Sequence, residues 1–296
     1  MMQSFQVDQS QEGIRLDLFL SQALSLSRKK AKSLLDAGRV QVGSKKVIIA
    51  SWELKAGETV KVLESSAASG QRLERYLKIH YEDSDLLVVE KPAGVACEKT
   101  GQVTSSTLVD DINDYLKRAH PDKPYPYVGL MHRLDRQTSG LMVYTLNKRA
   151  NKLSLDFKEH RLVRRYLALV EGSGLPDHGR IDRAIKKDSS GKKMIVFQSK
   201  SPSLRAITEY QVKQRFKDST LVEATLHTGR THQVRVHFSS LGHPVVGDKL
   251  YGSKSKVARH FLHASYLELT HPLSGKRLKF RSPLPKDFKS YVEKKY

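Results

Sequence analysis

Residues 131–140 read Met-His-Arg-Leu-Asp-Arg-Gln-Thr-Ser-Gly, so one carboxylate, Asp135, stands between Arg133 and Arg136 just before a turn. An acid flanked by cations stays ionised at neutral pH, because nearby opposite charge favours the charged form. In a basic protein such a carboxylate can also work on a polyanion without repelling it. For an isolated Arg-x-Asp-Arg the plainer reading is a loop aspartate in a surface ion pair. Asp135 becomes a candidate for chemistry only if the rest of the chain supports it.

A second dense segment, residues 226–237, reads Leu-His-Thr-Gly-Arg-Thr-His-Gln-Val-Arg-Val-His and alternates polar and apolar residues after a glycine turn, the pattern of a strand. His227, His232 and His237 suggest a metal at first sight. At a spacing of five in a strand, consecutive ones face opposite sides of the sheet and converge on one ion only through a bulge, so no metal is expected. Arg230, at the turn, is the arginine expected to reach across to a carboxylate. Gln233 and Arg235 could serve phosphate, base or structure equally.

These residues belong to a chain of 296 with 52 Lys plus Arg against 31 Asp plus Glu, a formal net charge of +21. Such an excess calls for a polyanionic partner. Nucleic acid fits better than a membrane surface, because the charge is spread along the chain without a long basic amphipathic helix or lipidation signal. No apolar run approaches the length needed to span a bilayer, and the N-terminus lacks the pattern of a secretory signal. The one cysteine, Cys97, cannot form an intramolecular disulfide, which fits a reducing cytoplasm.

The elements that must position the candidates fall into two groups. After a tail, residues 1–12, residues 13–64 read as a small α+β module with helices starting near Arg15 and after Ser27, the second ended by Gly38, and short strands at 40–42 and 59–62. Arg28, Lys29 and Lys32 would project from the start of the second helix, where free N–H groups also favour phosphate; a solvated helix face is the bland alternative. Small polar residues at 65–75 read as a linker. Residues 76–296 carry apolar strands at 86–89, 140–144, 166–170 and 207–212, with helices around 108–119 and 148–157. Strands outnumber helices and do not alternate with them, which predicts an α+β domain on a largely antiparallel, mixed sheet.

Several ordered motifs carry a family resemblance. His-Arg-Leu-Asp-x-x-Thr-Ser-Gly at 132–140, Tyr-x-Ala-x-Val-x-Gly at 166–172 and Thr-Gly-Arg-Thr-His-Gln-Val-Arg-Val-His at 228–237 resemble the RluA-like pseudouridine synthases. Lys-Pro-Ala-Gly at 91–94, the 242–252 segment, Leu262-His263-Ala264, His271-Pro272 and 283–285 fall in the expected order, so the likeness covers nearly all of the chain after the linker. Residues 13–64 look like the alpha-L RNA-binding domain, first seen in a small-subunit ribosomal protein and combined with this catalytic domain in members that modify ribosomal RNA. Departures are Gly43-Ser44 where Asn-Gly is frequent, and Arg165 where lysine precedes the strand tyrosine.

The resemblance implies an isomerase that breaks the N1 bond of uracil to the sugar, turns the base and rejoins it through C5. No atom is gained and no redox change occurs, so no cofactor is expected. By resemblance Asp135 is the reacting carboxylate and Arg230 pairs with it. Tyr166 lies against the uracil and could assist proton loss from C5. Val234 forms an apolar floor, and Arg133 fills the gap left by the flipped nucleotide. His132 supports the loop at the substrate side, with Gln233 nearby. The expected partner is RNA, ribosomal before transfer RNA, acted on by a monomer. Two other readings remain: an RNA-binding assembly protein without activity, and a hydrolase with two carboxylates, for which Asp248 would be the proton donor.

Overall fold

The computed structural model describes residues 3–36, 38–63, 77–99, 106–122, 126–191, 193–199, 201 and 204–295. The chain divides into two compact units, Met1–Gln71 and Arg72–Tyr296. The stretch read as a linker lies outside the described residues.

In the first unit, strand β1 (Gln3–Gln6) precedes helices α1 (Leu16–Ala23) and α2 (Arg28–Asp36) and strands β2 (Val40–Val42), β3 (Lys45–Lys46) and β4 (Thr59–Val62). The sheet order is β1-β4-β2-β3, all antiparallel. Residues 3–6, expected as part of a tail, are thus an edge strand; being short and mostly polar, they lack an apolar run to announce it. Leu16, Phe19 and Leu20 are buried from one face of α1, as their helical spacing requires. Ser27 Oγ accepts the Lys30 N–H at the start of α2, and Gly38 takes a left-handed conformation (φ +62°) at its end.

The second unit is built on strands β5 (Lys78–Glu82), β6 (Leu86–Lys91), β7 (Gly129–Leu130), β8 (Ser139–Thr145), β9 (Val163–Glu171), β10 (His178–Asp182), β11 (Ala184–Lys187), β12 (Met194–Phe197), β13 (Ile207–Arg215), β14 (Ser219–Leu226), β15 (Leu262–Thr270) and β16 (Arg277–Arg281). Its helices are α3 (Leu108–Ala119), α4 (Leu153–Lys158), α5 (Gln233–Ser240) and α6 (Lys286–Glu293). Among the described residues ten strands form one sheet of order β10-β13-β14-β9-β15-β8-β6-β5, with β16 on β15 and β7 on β8; β11 and β12 make a separate hairpin. The β15–β8 pair is parallel and the other pairs are antiparallel. This is the mixed α+β fold that the strand-rich pattern predicts.

The apolar runs follow from the layers. Every residue of β8 is buried because both faces of the sheet are covered. On one side Leu87, Val89, Met142 and Tyr144 pack with Leu108, Ile112 and Leu116 of α3 and with Val234 and Phe238 of α5. On the other, Leu86, Val88, Leu141 and Val143 meet Leu153, Leu267, Leu278 and Phe280.

One element differs from its sequence pattern. Residues 233–240 form α5, not a strand. Residues 233–238 are all buried, so there is no exposed stripe to set a 3.6-residue period, and alternating Val234 and Val236 mimic a strand.

Candidate active site

Asp135 sits on the irregular segment between β7 and β8. Main-chain bonds grip both of its neighbours. Lys91, fully buried at the end of β6, donates from Nζ to the carbonyls of Pro92, Val95 and Arg136. The Gly94 N–H also donates to the Arg136 carbonyl (2.8 Å). Cys97 Sγ donates to the Leu134 carbonyl and accepts its N–H. Burial pushes the Lys91 pKa down to about 8 and raises that of the Cys97 thiol.

After Asp135 the chain is fixed just as firmly. Thr138 Oγ1 bonds buried His260 Nε2 (2.8 Å), and Ser139 Oγ bonds His263 Nδ1 (2.9 Å). At Gly140 (φ +122°) an added Cβ would stand 2.3 Å from the Ala264 carbonyl oxygen, so only glycine lets β8 approach β15 in parallel.

The arginine paired with Asp135 is Arg235, not Arg230. From the first turn of α5, Arg235 Nη1 donates to Asp135 Oδ2 (2.8 Å), while Nε and Nη2 clasp Asp248 (2.6 and 2.9 Å). Asp248 is almost fully buried, its side chain 1% exposed. Burial works against the Arg235 charge, but the hydrogen bonds and charges of Asp248 and Asp135 win and raise its pKa. Such a bridge leaves Asp135 Oδ1 without a hydrogen bond among the described residues, and Asp135 itself lines a cleft.

Arg230 lines the same cleft, but its Nε donates to the Arg205 carbonyl (3.1 Å). The turn aims it there because its own N–H donates to Gln233 Oε1 (3.0 Å). Gln233 is also not free for substrate. Its Oε1 accepts from Thr228 Oγ1 and the Arg230 N–H, and its Nε2 donates to Ile207 O and Thr208 Oγ1, which uses the whole amide. His132 Nε2 accepts the Val143 N–H (3.1 Å), its ring stacks on Phe157, and burial pushes its pKa down to about 3. It is a neutral strut of the loop rather than a ligand for substrate.

The remaining residues line the same cleft. Tyr166, from β9, and Val234, from α5, line the cleft beside Asp135 together with Leu134, Leu226 and Leu262. The Tyr166 hydroxyl makes no hydrogen bond among the described residues, and burial raises its pKa. Arg133 stands at the rim, 60% exposed, with Nη1 donating to Glu98 (3.2 Å). The three histidines do not converge: His227 pairs with Glu209, His237 bonds Thr208 and the Arg183 carbonyl, and His232 turns to Tyr251.

In the first unit, Lys29 and Lys32 are exposed and make no ion pair among the described residues. Arg28 is exposed as well, but it donates to Asp17 Oδ2 (3.0 Å). Arg15, and then Arg28, hold the Asp17 carboxyl below its usual range in spite of burial. One nitrogen of the proposed phosphate grip is therefore already engaged.

A carboxylate held by one arginine in an apolar cleft with an aromatic side has the chemistry to attack an electrophilic carbon or to assist a leaving base. Asp248, buried and doubly bonded to a guanidinium, has no path to a substrate, so the hydrolase reading lacks its second acid.

Comparison with known proteins makes the class specific. The family model described as RNA pseudouridylate synthase matches residues 85–240, and that of the S4 domain matches residues 14–60. An uncharacterized RNA pseudouridine synthase of Aquifex aeolicus is 35% identical, over 97% of this chain and 94% of its own. The ribosomal large subunit pseudouridine synthase D of Nitrosomonas europaea is also 35% identical, over 95% of this chain and 84% of its own. The solved structure titled Human RNA Pseudouridylate Synthase Domain Containing 4 superposes with a TM-score of 0.61 at 27% identity, covering 75% of this chain and 94% of that one. The chain belongs to the RNA pseudouridylate synthase family and carries an N-terminal S4 domain. It is an RNA-modifying isomerase.

Proposed function

We propose that the enzyme isomerises uridines of large-subunit ribosomal RNA, with Asp135 as the reacting group. The observation that carries this reading is the Arg235 bridge, which holds one oxygen of Asp135 in the cleft that Tyr166 also lines. A carboxylate oriented in this way can attack the sugar or the uracil, or assist departure of the base.

Tyr166 lies along the face of the turned uracil over the floor made by Val234, and its free hydroxyl takes part in removing the C5 proton. A uridine in folded RNA must leave its stack to enter this cleft. Arg133, exposed at the rim, takes its place, since a guanidinium plane stacks on neighbouring bases. Lys29 and Lys32 add phosphate contacts from the S4 domain. The ribosomal target is supported by the Nitrosomonas europaea relative, whose name specifies the large subunit, and by the S4 domain. The enzyme acts as a monomer in the cytoplasm.

The test is a pseudouridine map of unmodified ribosomal and transfer RNA after incubation with the purified protein. New pseudouridine confined to large-subunit RNA is expected. Modification of transfer RNA alone would overturn the target.

A further inference from the structure

Next to Asp135 stands His232, which the roles above leave unused. It occupies the residue before α5 in a left-handed conformation (φ +56°, ψ 18°), which a residue with a Cβ adopts at a cost. Such strain persists only where surrounding contacts impose it. Here the imposing partner is Tyr251, whose hydroxyl lies 2.8 Å from His232 Nδ1 and whose ring meets the imidazole edge-on, centroids 5.7 Å apart. The opposite nitrogen, Nε2, lies 3.7 Å from Asp135 Oδ1, the oxygen that Arg235 leaves open.

The direction of the hydrogen bonds follows from the third member of the chain. The Met194 N–H, at the start of β12, donates to the Tyr251 hydroxyl oxygen (3.0 Å). With that oxygen already accepting, the phenolic proton is available for His232 Nδ1. The imidazole then carries its own proton on Nε2, facing the carboxylate. The reverse tautomer would point a bare lone pair at an anion. At 3.7 Å the contact is electrostatic and too long for a hydrogen bond, as catalytic contacts in unliganded enzymes often are.

We propose that His232 is a positioning residue for Asp135: Tyr251 sets its tautomer, and its Nε2–H donates to Oδ1 when bound uridine closes the cleft, giving the carboxylate a second fixed donor opposite Arg235. This rests on the reading of Asp135 as the reacting group. It assigns work to Tyr251 as well, whose ring also lies under the Arg235 guanidinium at 5.0 Å.

His232→Asn is the informative variant. Asparagine tolerates the left-handed backbone and offers an oxygen near the place of Nδ1, but it has nothing in the place of Nε2. Loss of one positioning hydrogen bond should lower kcat about tenfold with KM within about twofold. Tyr251→Phe keeps the ring beneath Arg235 and should lower kcat in the same direction. The double variant should be no worse than His232→Asn, because both act through one chain. In wild-type protein labelled with 15N-histidine, Nδ1 of His232 should be unprotonated and Nε2 protonated, a readout that needs no variant to be active. A protein making no pseudouridine in any RNA would overturn the function beneath this inference. A synthase whose His232→Asn variant keeps wild-type kcat, or whose His232 carries its proton on Nδ1, would overturn the inference alone.

Discussion

Arg235→Met removes three charge-assisted hydrogen bonds, two to Asp248 and one to Asp135, and leaves the Asp248 carboxylate buried without its cation. Breaking a buried pair in this way costs about 3–5 kcal/mol, most of it the penalty of the stranded charge. For a domain of this size that lowers Tm by roughly 6–20 °C. Asp135 loses its fixed donor at the same time. One charge-assisted hydrogen bond is worth about 1.5–3 kcal/mol, so kcat should fall about 10- to 100-fold or more. The two effects separate in the double variant Arg235→Met/Asp248→Leu, which replaces the pair by apolar groups. Thermal unfolding should return to within about 1–2 kcal/mol of wild type, whereas pseudouridine formation should stay low because Asp135 still lacks its arginine. The reasoning fails if the double variant is as unstable as the single one, or if it regains activity.

Other perturbations test separate parts of the account. Lys29→Glu/Lys32→Glu should weaken RNA binding and reduce the slope of log K against log salt by about 1 per residue; an unchanged slope would remove the S4 domain from the interface. Gly140→Ala forces a Cβ to 2.3 Å from the Ala264 carbonyl oxygen at φ +122°, and should lower stability by more than about 2 kcal/mol in denaturant unfolding; a wild-type midpoint would refute the close-approach argument. Burial holds His260 at a pKa of about 3, and His237 and His263 at about 4. Their folded values lie below the unfolded one, so the stability they contribute is complete above about pH 6.5 and is lost as pH falls toward 3–4, by up to about 1.4 kcal/mol per unit for each. Tm should therefore drop steadily from pH 7 to pH 5, and a flat profile would contradict neutral burial of these rings.

Much of this could be read from the sequence because the central strands are covered on both faces. Continuous apolar runs such as 86–89 and 140–144 have few other uses, and Leu108, Ile112 and Leu116 mark α3 at helical spacing behind the capping Thr107. Asp135 stood out because charge and turn residues crowd around it. The arginine that serves it did not. A turn at 228–230 favours Arg230 as the residue that reaches across, and six consecutive buried residues hide the helix that carries Arg235. One signal was present. A charged residue set between two valines in a buried run must have a buried partner, and Asp248 was available in its turn. The contacts His232–Tyr251, Lys91–Arg136, Tyr251–Met194 and His232–Asp135 join residues far apart in sequence, which no local pattern encodes.

The most direct test of the central claim is tritium release from RNA labelled at uridine C5, measured for wild-type protein and for Asp135→Asn. Joining C5 to the sugar expels its hydrogen, so release counts turnovers. Wild type should release tritium from its target RNA, whereas the variant should release none while binding that RNA within a few-fold of wild type, because the basic surface is unchanged. Release by Asp135→Asn at a rate near wild type would contradict the assignment of Asp135 as the reacting carboxylate.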